Sequence, residues 1–245
     1  MVLAVKQLIE RVFGLHIHRR RSSGRCYYEA PFGIDLDLDL LRFREWADDE
    51  VIFDVGANEG SISHRLSRNF PAQQIYAFEP VRETFARLST HTATLPNVHC
   101  FNFALGPESG TAEIRLHRKS DWNTLRSDVQ HPGYEGEGSE SIEVRTIDEF
   151  LAEQKIDRIH FLKIDTEGYD LEVLKGGERA LSQGRIGIIQ VEAGFDQDEG
   201  KFVPLGTFRT FLSSRDYLLF GLYHQAARDG RLRRCDAVFV HRNFR

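Results

Sequence analysis

The stretch VIFDVGANEG at residues 51–60 joins a short apolar run to two glycines, Gly56 and Gly60. Residues 51–55 are apolar apart from Asp54, as expected for a strand buried on both faces of a parallel sheet. A helical pattern follows near residues 61–69. A buried strand, a glycine turn and a helix in this order predict the first unit of a sheet whose strands alternate with helices.

The same alternation continues along the chain. Strands are predicted near residues 51–55, 74–79, 97–103, 159–165 and 186–192. Helical patterns lie near 61–69, 81–90, 146–154, 168–182 and 205–214, with a helix stop at Gly176–Gly177. Period-two alternation predicts an inserted antiparallel hairpin from 111–117 and 141–147, and a terminal hairpin from 217–223 and 236–242 around an Asp-Gly turn. The sequence therefore predicts an α/β fold with a parallel sheet covered by helices.

Four of the predicted strands have an acidic residue at their end or one position before it, namely Asp54, Glu79, Asp165 and Glu192. Ligands of open α/β sheets bind outside the carboxyl ends of the strands. A solvated strand end readily explains one such acid, but four of them favour a binding site at this edge.

Length and charge limit the class of protein. The chain has 245 residues, enough for one domain, predicted at 49–245, after an N-terminal helical or irregular extension at 1–48. Its net charge of −5 argues against a general nucleic-acid or anionic-membrane binder. Arginines cluster at 19–25 and again at 231–245, and both clusters are interpreted as solvated surface.

Three cysteines, Cys26, Cys100 and Cys235, lie far apart, so their spacing predicts neither a disulfide framework nor a zinc site. A reducing compartment is the simplest interpretation, and the cytoplasm is the predicted location. No run of about 18 apolar residues occurs, so no transmembrane segment is predicted.

The glycine loop indicates what kind of ligand it holds. A dinucleotide fingerprint needs glycine at relative positions 1, 3 and 6, where this chain has Asp54, Gly56 and Glu59. This mismatch argues against a nicotinamide oxidoreductase. A phosphate-binding loop requires a lysine directly after its last glycine, whereas Ser61 follows Gly60 here. A carboxylate repels a pyrophosphate but suits the sulfonium and ammonium charges of S-adenosylmethionine. Glu79, at the end of the next strand, is placed to accept hydrogen bonds from the two ribose hydroxyls of this cofactor.

Four segments occur in a characteristic order and spacing: VIFDVGANEG, IYAFEP, NVHCFNFALG and FLKIDTEGYDLEVLKGGERAL. Together they resemble the FkbM-type S-adenosylmethionine-dependent methyltransferases over residues 49–195. The resemblance implies a class I methyltransferase fold, a Rossmann-like doubly wound sheet of seven strands with the last one antiparallel. It also implies a cofactor site in which a loop of Asp54, Gly56, Asn58 and Gly60 surrounds the methionine part, Glu79 binds the ribose, and Asn102 to Ala104 lie near the adenine.

Methyl transfer to a hydroxyl also requires that a proton be removed. Asp165 and Glu167 lie in KIDTEG, and Glu192 ends the adjacent predicted strand. Asp165 or Glu192 is a candidate general base. Alternatively, the three acids hold a magnesium or calcium ion through their oxygens, or they orient the loop and cap the next helix. His131 and His224 are further candidates for the base.

The polar connection at 118–140 is longer than the roughly 12–15 residues that structureless loops usually reach, which is typical of a binding loop. Trp122, Asn123 and Tyr134 in this connection, together with Glu167, are candidate contacts to an acceptor. No Asn/Asp-Pro-Pro-Tyr/Phe segment follows the fourth strand, which favours oxygen over nitrogen acceptors. The resemblance and the loop together predict O-methylation of a sugar residue in a glycan, glycolipid or glycosylated natural product. The alternatives are O-methylation of a small polyketide-type product and a non-catalytic cofactor-binding domain.

Overall fold

The computed structural model describes residues 32–117, 120, 123–125, 136–195 and 201–244. These residues fall into two compact units, 32–46 and Ala47–Phe244. In the first unit, helix α1 (Leu36–Phe43) is capped by Asp35, whose side chain accepts a hydrogen bond from the Leu38 amide. Within the ranges described, no helix is both long enough and apolar enough to cross a membrane.

The second unit alternates strands and helices over most of its length. Its strands are β1 (Val51–Val55), β2 (Gln74–Phe78), β3 (Val98–Phe101), β4 (Ala104–Leu105), β5 (Gly110–His117), β6 (Gly136–Arg145), β7 (Ile159–Ile164), β8 (Ile186–Gly194), β9 (Val203–Pro204), β10 (Tyr217–Arg228) and β11 (Arg231–His241). Its helices are α2 (Ser61–Asn69), α3 (Arg82–Thr92), α4 (Ile147–Glu153), α5 (Asp170–Lys175), α6 (Glu178–Ser182) and α7 (Leu205–Ser213).

The main sheet has the strand order β10-β11-β8-β7-β1-β2-β3, and the short β9 pairs with the end of β8. Neighbouring strands from β8 to β3 are parallel, whereas β11 runs antiparallel to both β8 and β10. Strands β1 and β8 are buried along their whole length. The predicted parallel sheet, with its one antiparallel strand in the terminal hairpin, is confirmed.

A second sheet of order β4-β6-β5 contains the predicted inserted hairpin. Strands β5 and β6 pair antiparallel, and β4 pairs parallel with β6. The prediction of one strand over 97–103 is wrong at its end, because Asn102 turns the chain by donating hydrogen bonds to the carbonyls of Glu79 and Pro80. The chain then leaves the main sheet and enters the second one as β4.

Other differences lie at element boundaries. The strand predicted to reach residue 147 ends at Arg145, because the Thr146 side chain accepts a hydrogen bond from the Glu149 amide and caps α4. The helical pattern at 168–182 forms two short helices, α5 and α6, which the predicted stop at Gly176–Gly177 separates. The terminal hairpin is longer than predicted, since its strands continue to a two-residue turn at Asp229–Gly230.

Aromatic side chains form the part of the core beneath the carboxyl edge of β1 and β2. The Phe150 ring meets Phe78 and Phe101 edge-on at 5.0 Å between ring centroids, and Phe53 at 5.6 Å. All three contacts have the edge-to-face geometry that aromatic pairs prefer. This packing fixes the position of Phe78, the last residue of β2, directly before Glu79.

Candidate active site

A cleft opens at the carboxyl edge of the main sheet, where the loops after β1, β2 and β7 meet the second sheet. Its polar lining residues include Gly56, Asn58, Glu79, Asp165, Thr166 and Glu167. Its apolar lining residues include Phe78, Pro80, Ala104, Leu105, Ile114, Leu125 and Tyr169, and Ala104, Ile114 and Leu125 pack in one apolar cluster. The cleft therefore offers both charged groups and an apolar surface suited to a flat ring.

The glycine loop after β1 lies against the end of β7. Gly56 has a φ of 72°, and a Cβ atom placed on it would lie 1.9 Å from the Asp165 carbonyl oxygen. Gly60, with a φ of 89°, precedes α2, and a Cβ there would lie 2.8 Å from the Leu88 side chain. Only glycine combines this backbone conformation with so close an approach, so both positions require it for structural reasons.

Glu79 connects the second loop of the cleft to the first. Its Oε2 accepts a hydrogen bond from the Asn58 amide at 3.1 Å, and its Oε1 accepts one from the Val81 amide at 3.0 Å. Burial raises the pKa of Glu79 to about 7, although both hydrogen bonds lower it. The carboxylate is held at the cleft wall in a fixed orientation.

Asp54 lies behind the cleft wall and is fully buried. Its Oδ1 lies 2.9 Å from Lys163 Nζ, and its Oδ2 accepts a hydrogen bond from Ser63 Oγ at 2.6 Å. Lys163 also donates a hydrogen bond to the Gly56 carbonyl at 3.3 Å. The Asp54–Lys163 pair thus fixes the glycine loop from below, and a direct role of Asp54 towards a cofactor stays a prediction.

Lys163 remains charged despite its burial. Desolvation alone would lower the pKa of its ammonium group, but the carboxylates of Asp54 and Asp165 raise this pKa above its ordinary value. Asp165 Oδ2 lies 3.6 Å from the Lys163 Nζ. The same cation therefore compensates an acid behind the cleft and an acid in its wall.

The predicted acidic group does come together. One carboxylate oxygen of Asp165, one of Glu167 and one of Glu192 lie within 4.8 Å of one another. Glu167 pairs with Lys201 at 2.6 Å, and Glu192 Oε1 pairs with Arg234 at 2.5 Å. With Lys163 beside Asp165, each acid has a cation nearby.

Two of these acids bind protons unusually tightly. Burial raises the pKa of Glu167 to about 7, although Lys201 lowers it. Burial, followed by repulsion from Asp165 and Glu167, raises the pKa of Glu192 to about 8, although Arg234 lowers it. The Oε2 atom of Glu192 is buried and accepts no hydrogen bond from the described residues. Glu192 therefore carries an oxygen that can take up a proton near neutral pH.

Asp170 is a buried acid that sequence analysis did not single out. Its Oδ1 accepts a hydrogen bond from the Glu192 amide, and its Oδ2 accepts from the Thr166 amide and hydroxyl. Burial raises the pKa of Asp170 to about 6. This side chain joins the turn after β7 to β8, and its position at the start of α5 was the signal that could have identified it.

The described part of the long connection reaches the same cleft. Ser120, Asn123 and Leu125 line it, and the Thr124 hydroxyl donates a hydrogen bond to the Glu167 carbonyl at 3.0 Å. Asn123 Oδ1 also accepts from the His117 amide at 2.7 Å. The inserted segment is thereby attached to the acidic turn. Trp122, His131 and Tyr134 lie outside the described residues.

The remaining predicted residues have separate positions. Ala104 lines the apolar wall, whereas Asn102 uses its amide group to hold the Glu79–Pro80 backbone. The exposed His224 pairs with Asp236 at 2.7 Å and is not among the residues that line the cleft.

Comparison with known proteins decides the family. The family model described as the methyltransferase FkbM domain matches residues 54–219. This chain belongs to the FkbM methyltransferase family. The resemblance inferred from the four sequence segments is thereby confirmed.

Two relatives of this FkbM chain have named activities. It is 29% identical over 161 residues to the hexuronic acid methyltransferase AglP of Haloferax volcanii, covering 65% of this chain and 63% of the relative. It is 26% identical over 149 residues to the 2-O-methyltransferase NoeI of Sinorhizobium fredii, covering 56% of this chain and 61% of the relative. The match thus spans somewhat less than two thirds of each relative.

A solved FkbM methyltransferase from Methylobacillus flagellatus has the same fold. Its crystal structure superimposes with a TM-score of 0.53 at 20% identity and covers 82% of this chain and 45% of that chain. The likeness concerns the class I methyltransferase fold alone.

Proposed function

We propose that this FkbM chain is an S-adenosylmethionine-dependent O-methyltransferase that acts on a hydroxyl of a sugar residue. The observation that carries the proposal is the Glu79 carboxylate at the wall of a cleft that is also lined by apolar residues and by Asp165 and Glu167, with Glu192 grouped beside these two acids. The two named relatives support this proposal, since one is called a hexuronic acid methyltransferase, which names a sugar acceptor, and the other a 2-O-methyltransferase, which names an oxygen acceptor.

The residues of the cleft fit the proposed cofactor. Glu79 offers carboxylate oxygens to a ribose diol. Ala104, Leu105, Ile114 and Leu125 form the apolar slot that an adenine ring requires. Gly56 and Asn58 line the same cleft and would hold the methionine part. No phosphate-binding lysine or arginine lines this cleft among the residues described, which agrees with a cofactor that has no phosphate.

S-adenosylmethionine, held by Glu79, Gly56 and Asn58, would supply a methyl group on a positively charged sulfur, which the acceptor oxygen would displace as a neutral thioether. This protein would therefore not need to assist the leaving group. Its tasks are to align the acceptor hydroxyl, a contribution of up to about 7–11 kcal/mol in favourable cases, and to accept the hydroxyl proton. Glu192 is proposed as the base, since its Oε2 is free of hydrogen bonds within the described structure and its pKa is raised to about 8.

Asp165 and Glu167 would then position the acceptor. Asp165 lies in the cleft wall, and its carboxylate can accept hydrogen bonds from a second sugar hydroxyl. A divalent ion held by the same three acids is the second proposal for this cluster. The metal would have to compete with Lys163, Lys201 and Arg234 for the carboxylates, whereas Glu192 can act as a base with these cations in place.

Calorimetric titration with S-adenosylhomocysteine, with NAD as a control ligand, tests the cofactor. We expect S-adenosylhomocysteine to bind and NAD to give no heat. Glu79→Ala should weaken binding at least tenfold, which corresponds to about 1.4 kcal/mol. The matched control is Glu83→Ala, an exposed acid on α3. Absence of binding to the folded wild-type protein would refute the proposal.

Transfer of a labelled methyl group to a panel of glycosides then tests the acceptor class.

A further inference from the structure

The terminal hairpin carries a basic arm beyond the carboxyl edge of the sheet. Strand β8 ends at Gly194, which pairs with Arg234, so the hairpin continues past β8 on the side of the cleft. We define residues 224–234 as the hairpin arm. It contains four arginines and one aspartate, a net charge of +3 in a chain whose net charge is −5. The charge of the arm is therefore opposite in sign to that of the whole chain.

Two arginines are forced together at the tip of the arm. Asp229 and Gly230 have φ values of 53° and 74°, which are the conformations of a two-residue turn that matches strand twist. This turn places Arg228 directly opposite Arg231 in the ladder. Like charges in directly opposed positions destabilise a hairpin, and a bound anion would remove that repulsion.

These two guanidinium groups are available to a ligand. Arg228 is 77% exposed, and its nearest acid, Asp229, lies 3.7 Å away and is 81% exposed. Arg231 is exposed and forms no ion pair within the part of the chain that the structure describes. Paired guanidinium groups match carboxylate, sulfate and phosphate oxygens, to which arginine can donate two parallel hydrogen bonds.

The base of the arm belongs to the candidate active site. Arg234 pairs with Glu192 at 2.5 Å. Arg231 lies three residues further along the strand, a distance of about 10 Å at 3.4 Å per residue. A ligand group held at the tip would therefore lie outside the cleft but close enough to belong to the same extended acceptor.

We propose that the hairpin arm binds a carboxylate, sulfate or phosphate group carried by a glycan acceptor, outside the sugar residue that is methylated. This inference rests on the proposed function and assigns the acceptor to the anionic glycans. Charge complementarity favours a glycan with separated charges over a nucleic acid. A continuous phosphate backbone crossing this edge would approach Asp165, Glu167 and Glu192, whereas a glycan can present neutral hydroxyls to these acids and an anionic group to the tip.

The test compares a fluorescent trigalacturonate with a neutral galactose trisaccharide by anisotropy, without requiring turnover. The wild-type protein should bind the trigalacturonate about tenfold more tightly at low salt, and added salt should reduce this difference because exposed charges are screened. The double variant R228Q/R231Q should lose the difference. The control variant K175Q/R242Q removes two exposed cations elsewhere and should retain it.

Equal affinity for both trisaccharides in the wild-type protein, or an unchanged preference in R228Q/R231Q, would overturn the inference. Tighter binding to phosphatidylglycerol vesicles or to a short single-stranded RNA would overturn it as well and identify the arm as a membrane or nucleic-acid contact. Charge-dependent glycan binding without any methyl transfer would leave the arm assignment standing and refute the proposed function. Equal methylation of charged and neutral glycans would refute the arm assignment and leave the proposed function standing.

Discussion

Gly56 and Asp165 approach each other so closely that a Cβ atom on Gly56 would lie 1.9 Å from the Asp165 carbonyl oxygen. The two residues belong to the loops after β1 and β7, which form adjacent parts of the cleft wall. The glycine loop and the acidic turn are therefore one structural unit, and a change in either should affect both.

Gly56→Ala should destabilise the protein by at least about 2 kcal/mol, because a positive φ costs about 1–2 kcal/mol in alanine and the overlap with the carbonyl adds to it. Chemical denaturation measures this change, and calorimetry should show loss of S-adenosylhomocysteine binding. Gly206→Ala is the control, since nothing lies within 4 Å of a Cβ at that position of α7. Comparable effects of the two substitutions would contradict the argument.

Lys163→Met should destabilise the fold by about 3–5 kcal/mol, because it leaves the buried Asp54 carboxylate without its cation. Lys163 is only 4% exposed, and Asp54 is fully buried. Lys175→Met is the matched control, since the Lys175–Glu172 pair is largely solvated and should contribute less than about 1 kcal/mol. Urea denaturation at neutral pH compares the two variants.

The pH profile tests the base. If Glu192 accepts the hydroxyl proton, it must be ionised in the free enzyme, so kcat/KM should rise as pH increases and level off above its pKa of about 8. Glu192→Gln should lower the plateau by about 10²–10⁴-fold and abolish the rise. A profile that is flat from pH 6 to 9 in the wild-type protein would exclude Glu192. Asp165→Asn would then be the next variant to measure.

Chelation separates the base from the metal proposal. Because Lys163, Lys201 and Arg234 already compensate the three acids, we expect methyl transfer to continue after dialysis against EDTA. Addition of Mg²⁺ or Ca²⁺ should leave the rate unchanged. A loss of activity that either ion restores would show instead that the acids bind a metal.

Thr124→Val tests the link between the inserted segment and the acidic turn. The substitution removes the hydroxyl that donates to the Glu167 carbonyl, and it should cost about 1 kcal/mol of the free energy of unfolding. Methyl-transfer activity should fall as well, since the acceptor side of the cleft loses its attachment. Thr124→Ser keeps the donor and should restore both quantities. If serine fails to do so, the threonine acts through its methyl group and not through the hydrogen bond.

The sequence by itself determined the order of the elements, the parallel sheet and the residues at its carboxyl edge. These follow from local patterns, since buried strands are continuous apolar runs and a glycine turn marks the passage from β1 to α2. Local pattern also located Glu79 and the acids of KIDTEG, because residues that end parallel strands must meet at one edge.

Tertiary structure decided how these residues are paired. Asp54 is the next-to-last residue of β1 and Glu79 directly follows β2, yet Asp54 lies behind the wall with Lys163 while Glu79 lines the cleft. The attachment of Thr124 to Glu167 and the contact of Arg234 with Glu192 join residues 43 and 42 positions apart. Local sequence patterns do not predict such contacts, because the contacts depend on how distant strands and loops are aligned. These contacts and the burial of each acid together set its charge state.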